Sequence, residues 1–81
     1  MNVTIQFFSY FKELTGTERL ERSVPTGTTL GALHDELCRE HPALREMSRA
    51  TLLAVGMDYQ TRDYVLREGD LVSLFPPVQG G

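Results

Sequence analysis

The chain has 81 residues, 41% of them apolar and 23% charged, with a formal charge of −3. That length makes one domain with a small core, burying about 60–65% of the extended chain's surface. The absence of a long basic block excludes a nucleic-acid patch, no apolar run reaches membrane-spanning length, and a single cysteine excludes an internal disulfide.

No signal sequence precedes the first apolar segment, so the expected compartment is the cytoplasm. Val3 to Phe7 alternates apolar and polar, the period of a half-buried strand. Val3, Ile5 and Phe7 take one face; Thr4, Gln6 and then Phe8 take the other. Leu14-Thr15-Gly16-Thr17 carries a turn signal, and Glu18 to Val24 reads as a second strand with Leu20 and Val24 inward. The two predict an antiparallel hairpin with a somewhat long connection. Pro25-Thr26-Gly27 breaks the second strand. Thr29 is placed to cap a helix with its hydroxyl, and Leu30, Leu33 and Leu37 form one helical stripe. The helix is expected to end by His41, because Pro42 restricts the residue before it. Ala43 to Met47 predicts a short extra turn. Leu52 to Val55 predicts a buried strand, and Gly56 to Tyr64 a turn-rich segment with room for a short strand. Arg67 to Asp70 is a turn, and Leu71 to Phe75 the last strand, with Val72 and Leu74 inward.

The order ββαβ(β)β implies an α+β fold, a mixed sheet with one main helix across one face. The β-grasp, or ubiquitin-like, architecture is of this kind. The expected organisation is a domain over residues 1–75 and an extended tail over 76–81.

The tail is the chemical feature. It reads Pro76-Pro77-Val78-Gln79-Gly80-Gly81. Pro76 and Pro77 have no N–H and end the strand ladder; they also favour an extended stalk. Six extended residues span about 18–21 Å. Glycines at the tip let a partner enclose the terminus without meeting a Cβ. A terminal carboxylate, with a pKa of about 3.3–3.7, is a poor electrophile and needs activation, most simply as an acyl-adenylate from ATP. No nucleophile or general base lies in the last eight residues, so the catalyst is expected on another protein.

Strand alternation puts Phe8 on the outer face of the first strand. It puts Phe75 on the outer face of the last, with Leu71 and Ser73. If these strands are neighbours, both rings flank the root of the tail, and Tyr59 can join them. Exposed apolar area there predicts a docking surface. His34, Cys38 and His41 share a helical face, but no fourth ligand accompanies them and no metal is expected. Cys38 is expected as a small buried apolar residue, and His41 as a cation near a helix C-terminus. Arg39, Arg45, Arg49, Arg62 and Arg67 are expected on a solvated face. Glu13, Glu18 and Glu21 have no acid–base partner.

Two stretches resemble a known family. Phe7-Phe8-Ser9-Tyr10-Phe11-Lys12-Glu13-Leu14-Thr15-Gly16 resembles the opening of the small, sulfur-carrying subunits of molybdopterin synthase. Leu66 to Val72, followed by Phe75-Pro76-Pro77-Val78-Gln79-Gly80-Gly81, resembles their ending. These belong to the MoaD/ThiS group of ubiquitin-like sulfur carriers. The resemblance implies a β-grasp fold and no bound cofactor, with ATP used by the activating partner. It implies two partners: an adenylating enzyme of the ubiquitin-E1 type (MoeB-like) and the large synthase subunit (MoaE-like). Gly81 would be adenylated, converted to a thiocarboxylate and used to give sulfur to a precursor pterin (precursor Z, cyclic pyranopterin monophosphate). Phe8, Tyr59 and Phe75 match the family's partner-binding surface by position, Tyr59 replacing a more usual aliphatic residue. Pro76, Pro77, Val78 and Gly80 match its tail.

Two alternatives accompany this reading. One is a sulfur carrier for thiazole, a thiolated tRNA base or cysteine; thiazole carriers tend to be shorter and to lack the Pro-Pro pair. The other is a ubiquitin-like protein modifier forming isopeptides through Gly81.

Overall fold

The computed structural model describes residues 1–77. Along them run β1 (Asn2–Phe7), α1 (Phe11–Thr15), β2 (Arg19–Ser23), α2 (Leu30–Glu40), α3 (Pro42–Arg45), β3 (Leu52–Val55), β4 (Asp58–Tyr59) and β5 (Leu71–Phe75). The strands make one sheet in the order β2-β1-β5-β3-β4. The first and last strands lie side by side and parallel, Ile5 opposite Val72 and Phe7 opposite Leu74. The other pairings are antiparallel. With α2 across one face, this is the β-grasp.

Alternation decides what each strand buries. Val3, Ile5 and Phe7 of β1, Leu53 and Val55 of β3, and Val72 and Leu74 of β5 form one cluster with Leu30, Leu33 and Leu37 of α2. Each fully buried side chain of this size stabilises the fold by about 1.5–3 kcal/mol. Leu20 of β2 stands opposite Ile5 and packs partly buried against the same cluster. Val24 lies one residue past β2 and is buried. Arg22, opposite Val3, donates two hydrogen bonds to the Glu40 carboxylate at 2.7 and 2.9 Å, joining β2 to the end of α2.

The start of α2 is closed by two separate devices. Thr29 Oγ1 accepts from the Ala32 N–H at 3.1 Å, as its position predicts. The turn-rich segment after β4 supplies the rest. Tyr64 O accepts from the Leu30 N–H, and Arg62 O from the Gly31 N–H. Helix-start N–H groups that would otherwise lack partners are thereby satisfied. Thr29→Ala removes the side-chain acceptor alone and is expected to cost about 1 kcal/mol, read as a lowered urea midpoint at unchanged m-value.

The connection between β1 and β2 is long, as expected, and holds more than the turn at Leu14 to Thr17. It contains α1, whose Phe11 is fully buried in the core. Gly16 ends α1 at φ 75°, a left-handed position that favours glycine, and its N–H reaches Lys12 O. α3 starts at Pro42, one residue before the expected turn, because proline suits the first helical position. Ser73, expected on the outer face, is nonetheless buried: it is small and sits on a central strand between Gln6 and Ala54.

Candidate functional site

The parallel pairing of β1 and β5 builds the site. Phe7 is level with Leu74, and the ladder continues one step through the Phe8 N–H to Leu74 O at 3.1 Å. Phe8 and Phe75 therefore leave the sheet together on the face opposite α2. Their rings stack with centroids 4.5 Å apart and planes 16° from parallel. Tyr59 approaches Phe75 edge-on at 6.4 Å. The register carries it there: Tyr59 pairs with Ala54, and Ala54 with Ser73.

Leu52 belongs to this patch too. It stands opposite Phe75 and is 38% exposed, against 36% for Phe8 and 69% for Tyr59. The sequence reading placed it in a uniformly buried strand. In Leu52-Leu53-Ala54-Val55 both faces carry apolar residues, which hides the alternation. Only pairing with Phe75 reveals that Leu52 faces out while Leu53 faces the core.

The chain leaves β5 at Phe75, where two prolines end the ladder. Pro76 and Pro77 line a groove of about 610 Å³ with Ser9, Tyr10, Leu52, Tyr59 and Phe75. Ser9 makes the corner that brings Tyr10 alongside, at φ 55°. A left-handed serine costs about 1–2 kcal/mol, so surrounding contacts hold it. Two of these are the Phe11 N–H to Phe8 O at 3.1 Å and the Lys12 N–H to Ser9 O at 3.2 Å. The described lining offers apolar surface and hydroxyls and no carboxylate, imidazole or thiol. Of the predicted tail residues, Val78, Gly80 and Gly81 lie outside the described residues, as does Gln79.

The residues set aside in the sequence have structural places. Cys38 is buried, and that burial raises its thiol pKa; a thiol kept protonated and covered is a poor nucleophile. His41 caps α2, its ring edge-on to Phe7 at 6.3 Å. Arg62 pairs with Asp35 at 2.8 Å, both side chains about half exposed. Its side chain crosses Gly31, where an added Cβ would meet it at 2.9 Å.

His34 is 2% exposed, and neither ring nitrogen has a hydrogen-bond partner among the described residues. Burial lowers its pKa, nearby Arg62 adds to the shift, and Asp35 opposes it. The sign follows from proton counting. Below about pH 6.5 the unfolded chain takes up a proton that folded His34 resists, so this residue makes stability fall as pH falls. The slope is at most about 1.4 kcal/mol per pH unit. His34→Leu is expected to flatten that part of the profile in urea titrations run between about pH 7.5 and 5.5. Replacing an unpartnered imidazole by an apolar group is near neutral at the upper end.

Comparison with known proteins extends over the whole chain. It is 33% identical to the molybdopterin synthase sulfur carrier subunit of Mycobacterium tuberculosis, over 100% of this chain and 99% of that protein. It is 30% identical to the subunit of the same name from Arabidopsis thaliana, covering 100% and 84%. Among solved structures it superposes on a putative molybdopterin converting factor subunit 1 from Pyrococcus furiosus with a TM-score of 0.86, at 28% identity, covering 96% and 99%. SAMP1 from Haloferax volcanii gives 0.83 at 25% identity, covering 100% of both chains. A chain in the complex of molybdopterin-converting factor subunits 1 and 2 from Helicobacter pylori gives 0.69 at 26%, also covering both in full. The ThiS family matches residues 5–81, reaching from β1 through the last glycine. This chain belongs to the ThiS family, the ubiquitin-like sulfur-carrier group that its opening and ending resemble.

Proposed function

We propose that this protein is the sulfur-carrying small subunit of a molybdopterin synthase and that Gly81 is the carrying residue. The observation that carries the reading is the aromatic face at the root of the tail. Phe8 stacks on Phe75, with Tyr59 beside them, where the chain turns into Pro76-Pro77. The relatives named as synthase sulfur carrier subunits support it, as does a structural neighbour named as a complex of subunits 1 and 2. The chain's one cysteine is covered and held as a thiol, which leaves the terminal carbonyl as the better place for sulfur.

The cycle follows from carboxylate chemistry. The Gly81 carboxylate attacks the α-phosphorus of ATP on an activating enzyme, giving an acyl-adenylate and pyrophosphate. A persulfide sulfur then attacks the acyl carbon. AMP leaves, and reductive cleavage of the S–S bond by a thiol leaves a thiocarboxylate. Docked through Phe8, Tyr59 and Phe75, the loaded tail enters the large subunit. There its sulfur attacks an oxygen-bearing carbon of the bound pyranopterin, a C–O bond breaks and the oxygen leaves as phosphate or water, and hydrolysis of the acyl link restores the carboxylate. A dithiolene holds two sulfurs and each tail one, so two loaded carriers are used per product. Mixing the thiocarboxylated protein with the large subunit and cyclic pyranopterin monophosphate is expected to yield molybdopterin in that ratio. Sulfur transfer to a thiazole or tRNA acceptor, with none to the pterin, contradicts the pathway while keeping the carrier.

The likeness to SAMP1 favours a second reading, a protein modifier. The same acyl-adenylate then meets an amine. This sequence has seven arginines and one lysine, Lys12, which is exposed on α1. A guanidinium stays protonated and does not attack. Conjugation between copies through a side chain would therefore join Gly81 to Lys12, and a fragment spectrum identifies that linkage.

A further inference from the structure

The Leu52–Tyr59 ridge has a second groove on its other side, of about 890 Å³. Leu52 and Tyr59 line both grooves, so this second trough adjoins the groove of Pro76 and Pro77. Leu53 adds to its apolar lining. Its charges are arranged unevenly. Arg62 and Asp35 neutralise each other. Arg49, three residues before Leu52, is exposed and makes no ion pair among the described residues. Asp63, four residues after Tyr59, accepts from the Thr61 hydroxyl but pairs with no cation among those residues.

We propose that the second groove receives an extended segment of the protein that encloses the tail. The segment carries a carboxylate facing Arg49 and a basic side chain facing Asp63, with an apolar residue between them on Leu52 and Tyr59. Two features select this occupant. The trough shares Leu52 and Tyr59 with the surface at the tail root, so whatever grips Phe8 and Phe75 lies beside it. Its two uncompensated charges are of opposite sign, which fixes the polarity of the occupant. The inference rests on the proposed docking to a synthase large subunit.

The test is a binding titration of the full-length protein against the large subunit at low and at moderate salt. Arg49→Glu and Asp63→Lys are each expected to weaken binding about tenfold at low salt, the loss shrinking as salt rises. Arg39→Glu makes the same charge change as Arg49→Glu at the end of α2, outside the trough, and is expected to change affinity less than about twofold. Unfolding midpoints check that each variant is folded; Arg49→Gln or Asp63→Asn, each with an expected loss of about threefold, and Arg39→Gln as the control replace the charge-reversed variant at the same position if it is not. If the parent binds and the trough variants bind as tightly as Arg39→Glu, this inference falls and the proposed function stands. If the parent itself does not bind the large subunit, the proposed function falls and this inference with it.

Discussion

Deleting Gly81 is expected to reduce sulfur loading at least about a hundredfold while leaving the fold intact. The shortened chain still ends in a glycine carboxylate, that of Gly80, so the intrinsic reactivity of the group is unchanged. What changes is reach: one extended residue is about 3.3–3.6 Å, and a misplacement of about 1 Å at a reacting centre can cost a hundredfold in rate. Stability has little reason to follow. Among the described residues the core cluster runs from Val3 to Leu74 and includes neither Pro76 nor Pro77, and changes away from packed features shift stability by about 0.5 kcal/mol or less. Adenylate formation, measured as pyrophosphate release with the activating enzyme, and a urea unfolding curve read the two quantities separately. Loading of the shortened chain at the parental rate contradicts the role given to the tail.

Phe75→Ala has the second large effect, on docking. Phe75 holds the patch together: it stacks on Phe8, meets the Tyr59 edge and stands opposite Leu52. Its loss removes the ring stack, worth about 0.5–1.5 kcal/mol, from a side chain that is only half-buried in the free protein. In the proposed complex the same ring would be the central aromatic anchor, where truncation typically costs about 2 kcal/mol or more, roughly thirtyfold in affinity. The affinity loss for the large subunit is therefore expected to exceed the stability loss. Equal losses would place Phe75 in the core and remove it from the interface. Tyr59→Leu, which restores an aliphatic residue to the patch, is expected to keep most of the affinity, because Tyr59 is largely exposed and contributes a ring edge.

Much of this arrangement was legible before any coordinates. Strict alternation in Val3 to Phe7 fixed which residues face α2, and by extension that Phe8 faces away. Thr29 and the Leu30, Leu33, Leu37 stripe located α2 to the residue at its start. The parts that were not legible share a cause, which is that they depend on contacts distant in sequence. α1 spans five residues, too few for helical periodicity to emerge, so nothing local marks Phe11 as core although it is fully buried. Leu52 looked like core until its register with Phe75 was known. The polar segment after β4 read as a loop, and its work in closing the start of α2 through Arg62 and Tyr64 carbonyls has no sequence signature. Arg62 is solvated as expected, its side chain about half exposed, but its packing across Gly31 and its pairing with Asp35 have no sequence signature. The reactive end proposed at Gly81 rests on sequence chemistry alone, since Gly80 and Gly81 lie outside the described residues.

The central claim is that sulfur is carried on the Gly81 carbonyl, and mass spectrometry tests it most directly. The protein is incubated with ATP, the activating enzyme and a sulfur donor, then measured intact and after fragmentation. Localisation matters, because exchanging oxygen for sulfur and adding an oxygen raise the mass by nearly the same amount. Met57 is 98% exposed and open to oxidation. The expected result is a mass increase confined to the C-terminal fragment containing Gly81, dependent on ATP and lost when the thiocarboxylate is alkylated and cleaved. An ATP-independent increase, or one located on Met57 or Cys38 with Gly81 unchanged, would contradict the account.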